Sequence, residues 1–151
     1  IEKINEFSLG SIATVVGRFY TMDRDNRYER IKVAYDLMTN GVGIKTNDIL
    51  ATIEEKYYNK QTDEFMEPIL VNEGGLVEAS DAIIFYNFRP DRAREITRAF
   101  IDLNFSHFER KYLNLYYVSM TKYDDSFDIK VIFKDIEIKN KNLIGGLEYV
   151  I

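Results

Sequence analysis

The chain has 151 residues, of which 46% are hydrophobic, and its formal net charge is −5. This length suits one domain or part of a larger one, and this apolar content supplies a core and excludes a disordered chain. The acidic balance argues against nucleic-acid partners, because proteins that bind the phosphate backbone usually carry a basic excess. Cysteine is absent and His107 is the single histidine, which excludes disulfides, thiol catalysis and a histidine-rich metal centre.

Membrane insertion is not expected from the sequence. Its apolar runs are far shorter than the roughly 18 residues that a membrane span needs. The chain begins at Ile1 without a signal peptide. We therefore expect a cytoplasmic protein without a membrane partner.

The first predicted elements are a strand and a helix. Ser11–Val16 is short, apolar and β-branched, which is typical of a buried strand. A helix is predicted over residues 26–39, with Asn40 and Gly41 as its stop signal. Its predicted inward positions are Tyr28, Ile31, Tyr35 and Met38.

A second helix and a short strand are predicted next. The helix runs from about Asn47 to Tyr58 with Thr46 as its N-cap, and Glu67–Val71 is the strand. The apolar members of this helix are Ile49, Leu50, Ile53 and Tyr57.

The carboxyl-terminal half predicts two further strands around a helix. Asp81–Phe88 is a nearly continuous apolar run, which favours a central strand buried on both faces. Pro90 suits a helix start, the helix continues to about Leu103, and Tyr116–Thr121 is the next strand. The inward positions of this helix are Ala93, Ile96, Ala99 and Phe100. Strands alternating with helices predict an α/β fold, a layered sheet with helices.

Arg89 and Arg92 lie where a predicted strand gives way to a helix. Open α/β folds bind ligands at this end of a strand, and a helix N-terminus favours anions. The planar guanidinium group binds phosphate or carboxylate in a bidentate manner, so these arginines are candidates for an anion clamp. The alternative is a surface ion pair with Asp91 or Glu95, and the residues alone leave both readings open.

A second arginine-rich corner precedes the helix over residues 26–39. Arg18 follows the first strand, and Arg24 stands in the loop between Asp23 and Asp25. The two corners would form one anion site if they converge. Arg27 and Arg30 lie on the helix near Asp23 and Glu29, and we predict that they are salt-bridged or solvated.

Two weaker candidates are interpreted structurally. Asp124, Asp125 and Asp128 lack the ligand spacing of a cation loop and predict a solvated acidic turn. His107, between Phe105 and Phe108, is predicted to have a structural or capping role.

Three separated segments carry the most specific pattern. They are GRFYTMDRDNRYERIKVAYDLMTNGVG, TDEFMEPILV and FYNFRPDRAREITRAF. In this order they resemble cofactor-independent phosphoglycerate mutase, of the alkaline-phosphatase superfamily, over about Leu9 to Phe127. The resemblance implies a two-domain enzyme. Residues 1–127 would be the later part of its substrate-binding (transferase) domain, and residues 128–151 a linker towards its phosphatase domain.

The resemblance implies an isomerase of glycolysis that interconverts 3-phosphoglycerate and 2-phosphoglycerate through a phosphoserine. It also implies two Mn²⁺ or Mg²⁺ ions that activate this serine, with ligands outside this chain. By motif, the substrate-binding arginines of the family fall on Arg18, Arg24, Arg89 and Arg92. Asp91, inside the second arginine motif, is expected to orient Arg89 and Arg92.

The sequence also departs from the family pattern. It has no serine-nucleophile segment, no run of metal-binding Asp and His residues, and no D-G-R-D-T-P-P motif. We therefore expect an internal fragment that has no catalytic or metal-binding residue and is inactive alone. Its partners would be phosphoglycerate, the phosphatase domain and the earlier half of the transferase domain.

Two functions from other classes compete with this reading. A stand-alone, non-catalytic anion-binding or interaction module would use the same four arginines. A small nucleic-acid binder would use arginine and tyrosine side chains, and the net charge of −5 disfavours it.

Overall fold

The computed structural model describes residues 1–133, which form five α-helices and two small three-stranded sheets. The helices are α1 (Glu2–Phe7), α2 (Arg18–Thr21), α3 (Tyr28–Asn40), α4 (Ile49–Tyr58) and α5 (Arg94–Ile101). The strands are β1 (Thr14–Val15), β2 (Ile44–Lys45), β3 (Ile69–Leu70), β4 (Ala82–Phe85), β5 (Tyr116–Thr121) and β6 (Lys130–Phe133). The predicted α/β class is confirmed. Most of the predicted linker, residues 134–151, lies outside the described residues.

The two sheets differ in strand direction. In the first, with the order β1–β3–β2, β1 is antiparallel to β3 and β2 is parallel to it. In the second, with the order β4–β5–β6, all strands are parallel, and Ile84 stands opposite Val118, which stands opposite Lys130. The strand predicted over Ser11–Val16 is shorter than expected, since β1 pairs only with the two residues of β3.

The main core lies between α3, α5 and β5. Its buried members are Tyr28, Ile31, Ala34, Tyr35, Ile96, Ala99, Phe100 and Tyr117. The predicted inward faces of α3 and α5 are therefore confirmed, with Met38 partly buried at the margin. A smaller cluster of Ile49, Met66 and Ile69 lies beside the first sheet. The two arginine-rich corners therefore adjoin α3 and α5, which are held in place by packing in the same core.

The prediction of a central strand over Asp81–Phe88 is wrong for the part of the chain described here. Only Ala82–Phe85 is strand, and it lies at the edge of its sheet. Its side chains alternate: Ile83 and Phe85 are partly buried, whereas Ile84 is 67% exposed. An apolar run predicts burial only where both faces are covered, and in residues 1–133 one face of β4 is open.

Two predicted helix starts are corrected. α5 begins at Arg94, because Pro90 opens a turn in which the Ala93 N–H donates to the Pro90 carbonyl oxygen at 3.1 Å. α4 is capped by Asp48, whose Oδ1 accepts the Ala51 N–H at 3.1 Å, and not by Thr46. Of the apolar members of this helix, Ile49 is buried, whereas Leu50 and Tyr57 are 57% and 50% exposed.

Gly17, the residue before α2, allows a close approach to the backbone around Glu64 and Met66. A Cβ atom at Gly17 would lie 2.4 Å from the Glu64 carbonyl oxygen, and the Gly17 N–H donates to the Met66 carbonyl oxygen at 2.8 Å. α2, which carries Arg18, was not predicted; nor were α1, β2 and β6. Within residues 1–133, no helix is long and apolar enough to cross a membrane.

Candidate anion-binding site

Asp91 joins the two arginine corners. One of its oxygens, Oδ2, lies 3.2 Å from Arg24 Nη1 and 3.2 Å from Arg89 Nη2. Arg24 comes from the loop between α2 and α3, and Arg89 from the turn between β4 and α5. The folded chain therefore brings one arginine of each corner onto the same carboxylate.

These three groups form an exposed cluster with an excess of positive charge. The side chains of Arg24 and Arg89 are 52% and 78% exposed, and that of Asp91 is 31% exposed. Desolvation raises the pKa of Asp91, but the charges and hydrogen bonds of Arg89 and Arg24 outweigh it and hold this pKa below its usual value. Two guanidinium groups share one carboxylate, so N–H donors and one net positive charge remain for an anion from solution.

Arg92 has a different partner from the one expected. Its Nη1 donates to the Met22 carbonyl oxygen at 2.8 Å. The prediction that Asp91 orients Arg89 and Arg92 is therefore wrong for Arg92, because Asp91 binds Arg24 in its place. The Arg92–Met22 bond still ties the turn before α5 to the loop that carries Arg24.

Arg18 pairs with an acid outside this cluster. It begins α2, and its Nη2 lies 3.4 Å from Glu64 Oε1. Its side chain is 55% exposed. The membership of Arg18 in the anion site stays a prediction from the motif.

Arg27 and Arg30 form ion pairs, as predicted. Their Nη1 atoms lie 3.5 Å and 3.4 Å from Asp23 Oδ1, and Arg27 Nη1 lies 2.8 Å from Asp25 Oδ2. Asp23 is 4% exposed. Desolvation raises the pKa of Asp23, but hydrogen bonds from the Arg27 and Asp25 amides and the arginine charges lower it overall. These arginines stabilise the loop.

Glu95 is a buried acid whose role the sequence reasoning missed. It was considered only as a surface partner of Arg89 or Arg92, yet it is 5% exposed and its Oε1 accepts the Asn26 N–H at 3.0 Å. Its other oxygen, Oε2, is buried and has no hydrogen-bond partner among residues 1–133. The available signal was its place one turn before Ala99, on the buried face of α5.

The two weaker candidates have structural contacts. The His107 ring stacks on Tyr28, with ring centroids 3.6 Å apart and planes inclined by 6°. Asp124 accepts hydrogen bonds from the N–H and hydroxyl groups of Ser126 and lies 3.6 Å from Arg98 Nη2. Within residues 1–133, no group of three or more His, Asp or Glu side chains is placed to hold a metal ion.

Known proteins similar to this chain point to one family. The model of the family described as BPG-independent PGAM N-terminus matches residues 1–125. The 2,3-bisphosphoglycerate-independent phosphoglycerate mutase of Acetivibrio thermocellus is 48% identical over 145 residues, covering 91% of this chain and 28% of its own length. The protein of the same name from Clostridium perfringens (strain SM101) is 46% identical over 152 residues, covering 97% and 29%.

A solved structure agrees with these relatives. The chain superimposes with a TM-score of 0.72 on a crystal structure of Leishmania mexicana phosphoglycerate mutase at low cobalt concentration, at 28% sequence identity. The match covers 82% of this chain and 25% of that one, and the chain likewise spans less than a third of the bacterial relatives. On its sequence and its fold, this chain belongs to the BPG-independent phosphoglycerate mutase family, within the region described as its N-terminus.

Proposed function

We propose that residues 1–127 form part of the substrate-binding domain of a cytoplasmic, glycolytic phosphoglycerate mutase, and that residues 128–151 lead towards its phosphatase domain. This isomerase interconverts 3-phosphoglycerate and 2-phosphoglycerate through a phosphoserine. The relatives that match most of the chain carry the name of this enzyme. Its remaining partners would be the phosphatase domain and the earlier half of the transferase domain.

The meeting of Arg24 and Arg89 on Asp91 carries the proposal. Phosphoglycerate has a phosphate and a carboxylate, and each matches the fork of a guanidinium group. Arg24 and Arg89 bind these groups with the donors that Asp91 leaves free, and Arg92 and Arg18 complete the site. The arginines hold the glycerate in place and offset its charge while the phosphoryl group leaves one hydroxyl and returns to the other.

The metal ions of the proposed enzyme belong to another part of it. When bound there, two Mn²⁺ or Mg²⁺ ions would supply the charge that makes the serine a nucleophile. Residues 1–133 offer no set of side chains that fits such ions. The role proposed for the described residues is binding and orientation of the substrate.

Kinetics of a chimaeric enzyme test this role. The matching region of the Clostridium perfringens mutase is replaced by this chain, and Arg24→Ala is compared with Lys45→Ala. Lys45 is a fitting control, because its side chain is 73% exposed and pairs with Glu73. We expect Arg24→Ala to lower kcat/KM about tenfold to a hundredfold, as for a lost charge-assisted contact, and Lys45→Ala to leave it unchanged. An unchanged kcat/KM in a folded Arg24→Ala chimaera would refute the role.

The alternative is a non-catalytic anion-binding module built on the same cluster, since Arg24, Arg89 and Asp91 suit any small anion. Binding selectivity separates the two functions. A mutase domain binds 3-phosphoglycerate more tightly than inorganic phosphate, because it contacts both ends of the molecule. A general anion module binds the two alike.

A further inference from the structure

Two buried carboxyl groups hold one short stretch of backbone beside the anion site. Asp23 and Glu95 are 4% and 5% exposed. Asp23 Oδ2 accepts the N–H groups of Asp25 and Arg27, both at 2.9 Å, and Glu95 Oε1 accepts the intervening N–H of Asn26 at 3.0 Å. Three successive amides are therefore bound by two acids, one from the loop itself and one from α5.

The two acids differ in the cations around them. Asp23 has Arg27 and Arg30, from the start and the first turn of α3, at 3.5 Å and 3.4 Å. Glu95 and Asp23 bind adjacent amides of the same short stretch, and the negative charges of Asp23 and Asp25 both act on Glu95. Its Oε2 is buried without a partner among residues 1–133. Within residues 1–133, an ionised Glu95 would have no cation in an ion pair with it, and its Oε2 would have no donor.

The positive charges of α5 do not compensate Glu95. Arg94 Nε donates to the Tyr123 carbonyl oxygen at 2.7 Å, and Arg98 Nη2 lies 3.6 Å from Asp124. A protonated Glu95 resolves the imbalance, because its O–H group becomes a donor for the Asp23 carboxylate while Oε1 still accepts from Asn26.

We propose that Glu95 is a positioning residue that keeps its proton and donates it in a hydrogen bond to Asp23, so that the loop carrying Arg24 stays fixed on α5. The turn before α5 carries Arg89 and Asp91, so this bond sets the geometry in which Arg24 reaches Asp91. Burial, opposed by the Asn26 hydrogen bond and reinforced by Asp23, raises the pKa of Glu95, in agreement with a retained proton. The effect of Glu95 on ligand binding rests on the proposed function. The proton that Glu95 keeps and shares with Asp23, called the shared proton below, does not.

The test uses three variants of the 151-residue chain. Glu95→Gln keeps a donor towards Asp23 and an acceptor for Asn26 at every pH. Glu95→Met keeps the volume and removes both hydrogen bonds. Glu54→Gln makes the same side-chain substitution at an exposed position of α4 and serves as the control. Tm is measured from about pH 5 to about pH 9, and the Kd of 3-phosphoglycerate at about pH 6.

A group with a raised pKa stabilises the fold below its unfolded value of about 4.3, and this contribution is lost as the pH rises through the folded pKa. The Tm of the wild type should therefore fall relative to Glu95→Gln by roughly 3 °C per pH unit until the proton leaves. Glu54→Gln should follow the wild type at each pH. A difference between wild type and Glu95→Gln that is independent of pH would overturn the shared proton.

Ligand binding tests the positioning role. Glu95→Met should raise the Kd of 3-phosphoglycerate about tenfold, and Glu95→Gln should leave it unchanged. Equal binding by a folded Glu95→Met variant would overturn the positioning role, and so would a Glu95→Gln variant as impaired as Glu95→Met. If Glu95→Met does not fold, the positioning role is tested by the Kd of Glu95→Gln alone, which should equal that of the wild type. If wild type and control bind no 3-phosphoglycerate while the Tm difference varies with pH, the proposed function fails and the shared proton stands.

Discussion

Arg24 and Asp91 are 67 residues apart in the sequence, yet Arg24 Nη1 lies 3.2 Å from Asp91 Oδ2. Arg89 binds the same oxygen from within the turn of Asp91. The carboxylate therefore fixes the distance between two exposed guanidinium groups without neutralising both. This arrangement suits a small anion that carries both a phosphate and a carboxylate.

Arg92 is expected to matter for stability as well as for binding. Its hydrogen bond of 2.8 Å to the Met22 carbonyl oxygen is partly buried, and the carbonyl would lose a charged donor. Arg92→Ala should lower the free energy of unfolding by about 1–2 kcal/mol, measured by urea denaturation. Arg89→Ala, at a side chain 78% exposed, should change it by less than about 0.5 kcal/mol. Equal free energies of unfolding for the two variants would show that the hydrogen bond from Arg92 to the Met22 carbonyl oxygen does not stabilise the fold.

Gly17 should not tolerate a side chain. A Cβ atom at this position would lie 2.4 Å from the Glu64 carbonyl oxygen and 2.6 Å from the Met66 nitrogen, both backbone atoms. Gly17→Ala is expected to destabilise the chain by about 1–3 kcal/mol and to displace α2 with Arg18. Gly74→Ala is the matched control, since its Cβ would meet only the Asn72 side chain at 3.3 Å. Denaturation curves that coincide for the two variants would contradict the close approach.

The exposed face of β4 should accept charge. Ile84 is 67% exposed, so Ile84→Lys is expected to change the free energy of unfolding by less than about 0.5 kcal/mol. Ile31→Ala, at a fully buried position of α3, should cost about 2–5 kcal/mol. Denaturation of both variants makes the comparison. A large loss in Ile84→Lys would mean that this face is covered in the folded chain, as in a strand buried on both sides.

The elements that were predicted well are those whose signal is local. β5 has the predicted bounds Tyr116–Thr121, and α3 buries Tyr28, Ile31 and Tyr35 as its periodicity requires. The burial of β4 was mispredicted, because burial depends on what packs against a face and the apolar run does not encode that. β1 and β3 lie within the predicted strands Ser11–Val16 and Glu67–Val71, but each is only two residues long. β2 was not predicted, because the pairing of distant segments sets where these short strands form.

In the candidate site, too, features with a local signal were predicted and features that depend on packing were not. The four arginines were selected from strand ends and from the motif, but their partners lie far along the chain. Arg24 binds Asp91, and Arg92 binds the Met22 carbonyl oxygen 70 residues away. Glu95 was identified as an acid near the clamp, whereas its burial follows from the packing of α5 on the core. Local chemistry thus predicted the residue types of the site, and only the fold revealed its contacts.

The 151-residue chain should have no mutase activity with Mn²⁺ or Mg²⁺. The sequence lacks the family's serine-nucleophile segment, and the chain spans 28% of the Acetivibrio thermocellus relative. A coupled assay with 3-phosphoglycerate and either metal measures this directly, and the bacterial relative is the positive control. Turnover that a point substitution within this chain abolishes would contradict the fragment interpretation.

The most direct test of the central claim is the affinity of the 151-residue chain for 3-phosphoglycerate, measured by isothermal titration calorimetry. If Arg24 and Arg89 form the anion site on Asp91, then Arg89→Ala should raise Kd about tenfold to a hundredfold, with Arg89→Lys recovering part of the loss. Lys45→Ala, which removes the same charge at a side chain 73% exposed, should change Kd by less than about twofold. An Arg89→Ala variant that is folded and binds as tightly as the wild type, or a Lys45→Ala variant that loses as much affinity, would contradict the account.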